Sequence, residues 1–194
     1  MIFPAIYLAS GSPRRRELLS QMAVDFAVIV PDVDESVQPG ESAQAYVRRI
    51  AINKALAALP MRDSNTSRPV LAADTAVVVQ KTIFGKPVND DDARRMLKML
   101  SGQAHQVMTA VALASEEKLE TAISLSEVRF ASMSEAEIDW YIQTGEGRDK
   151  AGSYAIQGLA AIFIETIRGS YSGIMGLPVR ETGQLLKHWK ADEQ

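Results

Sequence analysis

Cysteine is absent from this 194-residue chain, which excludes disulfide frameworks, thiolate zinc sites and cysteine nucleophiles. His105 and His188 are the only histidines, too few for a histidine-rich metal centre or for a choice of bases in a Ser-His-Asp arrangement. No apolar run reaches the roughly 18 residues that a membrane-crossing helix needs, and the first residues carry no signal-peptide pattern. These absences predict a cytoplasmic protein with no membrane partner. Neither a G-x-x-x-x-G-K-S/T loop nor a G-x-G-x-x-G turn after a strand occurs, so a P-loop ATPase and a Rossmann dehydrogenase are not indicated. A net charge of -3 and a pI near 5.5 argue against a stable nucleic-acid partner, whose phosphates require many clustered cations. Any cationic site must therefore be local.

What is present suits one globular domain spanning residues 1–194, with 46% hydrophobic and 23% charged residues. Ile6-Tyr7-Leu8-Ala9 reads as a short buried strand, and Ser12-Pro13 as an N-cap followed by proline at the first helical position. Phe26 to Val30 is a second apolar run, ending in the acidic loop Pro31-Asp32-Val33-Asp34-Glu35. Ser42 to Leu59 has helical periodicity, its apolar stripe including Tyr46, Val47, Ile50, Ala57 and Ala58. Pro69 to Val79 is a strand pattern broken at Asp74-Thr75, with Ile83 to Pro87 as a hairpin return. A helix over Asp90–Leu100 follows, capped at Asn89 or Asp90 and stopped at Ser101-Gly102. Gln106–Ala114 and Leu119–Phe130 are expected as long strands of a hairpin, and Ser134 to Thr144 as a helix opened by a capping box. Residues 145–153 read as loop, Ala160–Ile167 as a buried strand, Gly169–Gly176 as a glycine-rich stretch, and Leu177-Pro178 as the entry to a closing helix ending near Trp189. Helices alternating with strands and hairpins predict a mixed α/β sheet rather than a strictly parallel, doubly wound one.

Several residues stand out of pattern. Arg14, Arg15 and Arg16 occupy the opening turn of a helix, where each cation opposes the helix dipole at roughly 0.3 to 1 kcal/mol when exposed. An anion would compensate, and the free N–H groups of that turn, with the Ser10 and Ser12 hydroxyls, suit a phosphate. Successive helical residues point about 100° apart, so only part of the arginine trio can face one cleft. Lys54 falls four residues after Ile50 on an apolar stripe, so its ammonium either snorkels to the edge or reaches a carboxylate or phosphate. Asp74 interrupts an apolar strand, and an unpaired buried carboxylate is costly. It should lie at a strand end or kink with a cation nearby. Lys86, just before Pro87, is held extended. His105 is expected as a hydrogen-bonded structural histidine, and Met96, Met99 and Met108 as core residues.

Five segments, in order along nearly the whole chain, resemble the Maf family of nucleotide pyrophosphatases. They are Leu8-Ala9-Ser10-Gly11-Ser12-Pro13-Arg14-Arg15-Arg16-Glu17-Leu18-Leu19, Ala73-Asp74-Thr75, Gly85-Lys86-Pro87, the stretch from Ser101 to Thr109, and that from Asp149 to Gly158. The resemblance implies an α/β fold of Maf/ITPase-like kind, a mixed, elongated, twisted sheet flanked by helices. It implies hydrolysis of a nucleoside triphosphate to the monophosphate and pyrophosphate, with a divalent metal (Mg²⁺ or Mn²⁺), in a cytoplasmic homodimer. Asp74 matches the family's catalytic acid position, and Glu35, Lys54 and Lys86 match its other polar active-site positions. Arg15, Thr75 and Gln157 match the trio marking the subgroup that acts on dTTP and UTP. The subgroup acting on 7-methyl-GTP differs there, with an apolar or aromatic residue for Arg15 and an acidic one for Gln157. Tyr171-Ser172-Gly173-Ile174-Met175 departs from the family pattern and receives no role.

The chemistry agrees with that assignment. Arg15, Lys54 and Lys86 supply cations for a triphosphate, with Ser10, Ser12 and Arg14 as further phosphate contacts. Glu35 and Asp74 are hard oxygen donors of the type Mg²⁺ or Mn²⁺ prefers. A glutamine amide offers one donor and one acceptor, matching a uracil or thymine carbonyl beside its N3–H. The alternatives are 7-methyl-GTP or broad nucleotide specificity, and a non-catalytic nucleotide-binding regulator of cell division.

Overall fold

The computed structural model describes residues 2–63 and 66–192 of the chain. Seven strands form one mixed sheet flanked by helices, in the order β2 (Phe26–Ile29), β1 (Ile6–Ala9), β3 (Val70–Val79), β5 (Ala104–Ala114), β6 (Leu119–Phe130) and β7 (Ile164–Arg168), with β4 (Thr82–Phe84) pairing with β3. The chain divides into two compact units, one of residues 1–74, 109–124 and 176–194, the other of residues 75–108 and 125–175.

In the first unit β1 pairs in parallel with β2 on one side (Ile6 opposite Phe26) and with β3 on the other (Tyr7 opposite Val70). Helix α1 (Pro13–Gln21) makes the crossover to β2, and α2 (Ala43–Ala58) lies on the path to β3. All four residues of β1 and the first five of β3 are buried, as expected of parallel strands covered on both faces. The connection leaving β1 runs to β2, and the next crosses from β2 to β3 on the other side of β1; in sheets of this 2-1-3 order, ligands usually bind where the chain leaves the parallel pairing of β1 and β3. The Ser42 hydroxyl accepts the Ala45 N–H at 3.2 Å and caps α2. Helix α6 (Val179–Asp192) completes this unit.

In the second unit β4 returns antiparallel on β3 (Val77 opposite Phe84), and β7 runs antiparallel to β6 (Val128 opposite Ile167). Helix α3 (Asp90–Leu100) is capped by Asn89, whose side chain accepts the Asp92 N–H at 2.8 Å. Three aspartates in the first turn of α3 and Lys98 in its last complement the helix dipole. Helix α4 (Glu135–Gln143) opens with the full capping box of Ser134 and Glu137. The core joins Val77, Phe84, Leu97, Leu100, Phe130 and Tyr141. His105 is buried there, its Nε2 2.8 Å from the Tyr154 hydroxyl and its ring edge-on to Phe130, a structural role.

The structure corrects five local expectations. Strand β3 is continuous through Asp74-Thr75, because Asp74 finds a cation without leaving the sheet. Ala160–Ile167 is not one buried strand: Leu159–Phe163 is a 3₁₀ turn, and only Ile164–Arg168 is extended, with mostly exposed side chains. Strand β7 ends the sheet order among the described residues. The glycine-rich stretch contains a short helix, α5 (Tyr171–Met175). Ala57 is only half-buried and Ala55 takes the core position on α2. Met96 is buried and Met99, half-buried, packs against the core as expected, whereas Met108 is only half-buried.

Candidate active site

Three chain segments leaving the parallel strands of the first unit carry the polar residues. Ser10 follows β1, Glu35 follows β2, and Asp74 sits just past the residues of β3 that pair with β1. Lys54 reaches them from α2. Its ammonium lies 2.7 Å from Asp74 Oδ1 and 2.8 Å from Glu35 Oε1. Of the two readings for a lysine on that stripe, the carboxylate is the one realised. Asp74 is only 6% exposed. Burial holds its carboxyl above the usual carboxylate range, against the pull of Lys54 and Arg15, while the Glu35 charge adds to the rise.

Arg15 turns back from the first turn of α1. Its Nη1 donates to Ser10 Oγ at 3.1 Å and its Nε to the carbonyl of Gly176 at 2.8 Å. Burial lowers the Arg15 guanidinium from its ordinary value, and the charges of Asp74 and Glu35 oppose that shift. The cation at a helix N-terminus is therefore compensated partly by carboxylates of the protein itself. Gly176, with φ +113, holds a conformation that favours glycine and presents its carbonyl to the guanidinium. Ser12 occupies the N-cap position ahead of Pro13, but its side chain makes no capping bond. Ser10 is the serine engaged, its Oγ also accepting the Ser12 N–H at 3.2 Å. Arg16 is exposed, and its guanidinium donates to the Gly11 carbonyl at 3.4 Å. Arg14 lies in the same turn, half-buried.

Thr75, Lys86 and Gln157 belong to the second unit. Thr75 is half-buried in β3, and Lys86 and Gln157 are exposed on turns. The turn carrying Lys86 is fastened by the Gly85 carbonyl, which accepts the Gly152 N–H at 3.0 Å. Gly152 has φ +70, and a Cβ there would press on Val77. After Gln157, the Glu146 carboxylate gathers the chain by accepting the Leu159 N–H at 2.9 Å and the Tyr141 hydroxyl at 2.8 Å. Gly158 leaves room for that carboxylate, because a Cβ would overlap it.

Sequence reasoning missed three contributors. Tyr46 reads as a core residue, yet its hydroxyl donates to the Glu35 carbonyl at 3.0 Å. Burial, with Asp74 and Glu35 nearby, pushes its phenol up to about 12. Its spacing of eight from Lys54 on one helix is the available signal. Arg49 binds Glu41 and the Ser36 carbonyl, and Gly176 follows a segment to which no role was given.

The donor set suits a hard divalent cation: two carboxylates, Glu35 and Asp74, converge on one point, and both offer oxygen. Among the described residues no group of three or more His, Cys, Asp or Glu is placed to hold a metal. Mg²⁺ ordinarily takes one or two carboxylates and completes its shell with water and substrate phosphates, so two suffice.

The profile of a family described as Maf-like protein matches residues 5–189. A dTTP/UTP pyrophosphatase of Chromobacterium violaceum is 54% identical over 183 residues, covering 93% of this chain and 92% of that protein. One of Pseudoalteromonas atlantica is 50% identical over 182 residues, covering 93% and 95% respectively. One of Photobacterium profundum is 48% identical over 188 residues, covering 95% and 96%. The solved structure of the Staphylococcus aureus Ham1 protein aligns with a TM-score of 0.52 at 14% identity, over 98% of this chain and 100% of that one. That likeness concerns the fold.

Proposed function

Because the chain belongs to the family of Maf-like proteins, we propose that it hydrolyses dTTP and UTP, releasing the nucleoside monophosphate and pyrophosphate. Relatives near 50% identity over almost the full chain carry that name. The observation that carries the reading is the Lys54 ammonium within 2.8 Å of both the Asp74 and Glu35 carboxylates, beyond the stretch in which β1, β2 and β3 pair in parallel. In this reaction water adds to the α-phosphorus, the bond to the α–β bridging oxygen breaks, and pyrophosphate leaves with the electron pair. Asp74 takes the proton of the attacking water, as a largely buried carboxylate well placed for general-base work. Glu35, held on the same Lys54 ammonium, orients that water. Lys54, Arg15 and Lys86 offset the charge on the phosphates, the main requirement of phosphoryl transfer, with Ser10, Ser12 and Arg14 as further phosphate contacts. A divalent cation held by Glu35 and Asp74 would supply charge neutralisation and polarisation of a phosphate oxygen.

Gln157 reads the pyrimidine edge through its amide, and Arg15 and Thr75 complete the choice of substrate. Among the described residues no helix is long and apolar enough to cross a membrane, and the protein acts in the cytoplasm as a homodimer. The deciding experiment measures pyrophosphate release from UTP, dTTP, CTP, GTP and 7-methyl-GTP with Mg²⁺ or Mn²⁺. Turnover concentrated on UTP and dTTP is expected, and Asp74→Asn should lower it by about a thousandfold or more with an unchanged circular dichroism spectrum. No pyrophosphate from either pyrimidine, or near-normal activity of Asp74→Asn, overturns the reading.

A further inference from the structure

The acidic loop that carries Glu35 is fastened to helix α2 by groups that the proposed reaction does not use. The Tyr46 hydroxyl donates to the Glu35 carbonyl at 3.0 Å. Three residues on, Arg49 Nη2 donates to the Ser36 carbonyl at 2.9 Å, while its Nε and Nη2 grip the Glu41 carboxylate at 2.6 and 2.7 Å. Glu41 Oε2 in turn accepts the Gln38 N–H at 3.1 Å. The Arg49 guanidinium lies 5.7 Å from the centroid of the Tyr46 ring, so the two side chains brace each other.

Positions 46, 50 and 54 lie four apart, on one face of the helix. One face therefore supplies both the cation that meets Glu35 and the donor that holds its backbone. The Glu35 side chain is 44% exposed. A glutamate on an unfastened loop would lose much of its conformational entropy on meeting Lys54. Fixing its main chain removes most of that freedom beforehand, the general advantage of preorganisation. Tyr46 itself is 6% exposed, and a buried phenol normally finds one partner. Its partner here is the backbone of a proposed active-site residue.

We propose that Tyr46, backed by Arg49 and Glu41, is a positioning residue that fastens the backbone of Glu35 and so sets its carboxylate against Lys54 and Asp74. The kinetic consequence rests on the pyrophosphatase reading, whereas the fastening itself does not. Tyr46→Phe keeps the ring and removes only the donor. In nucleotide-free protein, hydrogen exchange at the amides of Ser36, Gln38 and Glu41 should quicken about three- to tenfold, the scale of one net hydrogen bond, with helix α3 unchanged. With UTP, kcat should fall about tenfold while KM moves less than about twofold. In a Glu35→Gln background the same substitution should change kcat less than about twofold, because there is no carboxylate left to position. A merely structural contribution would instead multiply the two losses. Unchanged exchange at those amides, or fully multiplicative kinetics in the double variant, overturns the proposal. A wild-type protein inert towards UTP and dTTP defeats the pyrophosphatase reading alone, and the exchange comparison then decides the fastening by itself.

Discussion

Replacing Lys54 with methionine keeps most of the stem and removes the ammonium. In the wild type that ammonium lies 2.7 Å from Asp74 and 2.8 Å from Glu35, with 13% of the Lys54 side chain and 8% of that of Asp74 exposed. The variant leaves a buried carboxylate facing a second one. Removing one partner of a buried ion pair costs about 3–5 kcal/mol. Water reaches the Glu35 side chain, 44% exposed, and Arg15 still attracts both carboxylates, so a loss of about 2–3 kcal/mol near pH 8 is expected. For a chain of this size the melting temperature falls by roughly 4–12 °C.

The pH dependence has a definite sign. Burial raises the Asp74 carboxyl above its unfolded value, so the stability linked to it is greatest at low pH and declines as pH rises through the folded value. Lys54 contributes the leading opposing influence on that carboxyl. Without it the folded value climbs further, and Asp74 takes up a proton at a higher pH than in the wild type. The deficit of Lys54→Met should accordingly shrink on acidification towards pH 5. Urea unfolding in EDTA from pH 5 to 8 measures it, with Asp74→Asn and the double variant alongside. In the Asp74→Asn background Lys54→Met should cost less than about 1 kcal/mol. A deficit independent of pH, or equal in both backgrounds, refutes the reasoning.

His105 gives a second pH effect of opposite sign. Burial lowers its imidazole from 6.5 to about 4, so the stability it carries is complete above the unfolded value and is lost as pH falls towards 4. That lowering corresponds to on the order of 3 kcal/mol, and His105→Gln should flatten the unfolding profile between pH 7 and 4. In Gly147→Ala the new Cβ overlaps the Ser153 carbonyl, and a loss of roughly 3 kcal/mol is expected by chemical denaturation because backbone has to move. Gln157→Glu should reduce UTP and dTTP turnover at least about tenfold relative to guanine nucleotides, since a carboxylate cannot donate to a pyrimidine carbonyl. Unchanged selectivity across the nucleotide panel would remove Gln157 from base reading.

Elements with strong local signals were legible from the chain alone. Proline after Ser12, Asn89 before three aspartates, and the Ser134–Glu137 box each mark a helix start through contacts only a few residues apart. Where local signals tie, tertiary context decided. The apolar residues Ala160 to Phe163 suit a strand or a turn equally, and the Glu146 carboxylate, accepting the Leu159 N–H, favours the turn. Ser12 looks like a cap by position, yet its side chain makes no capping bond, and Ser10 serves the arginine instead.

The same division governs the site. Residue type and spacing alone marked the three arginines at a helix start, Lys54 on an apolar stripe and Asp74 within an apolar strand, because each breaks a period set by backbone geometry. Such a break indicates that a charge needs a partner without naming it. Only the tertiary structure brings the Glu35 and Asp74 carboxylates within 2.8 Å of the Lys54 ammonium, turns Arg15 onto Gly176 across 161 positions, and spends the Tyr46 hydroxyl on the Glu35 backbone. Those pairings join segments far apart in the chain, and their identity follows from strand order and crossover, which residue periodicity does not encode.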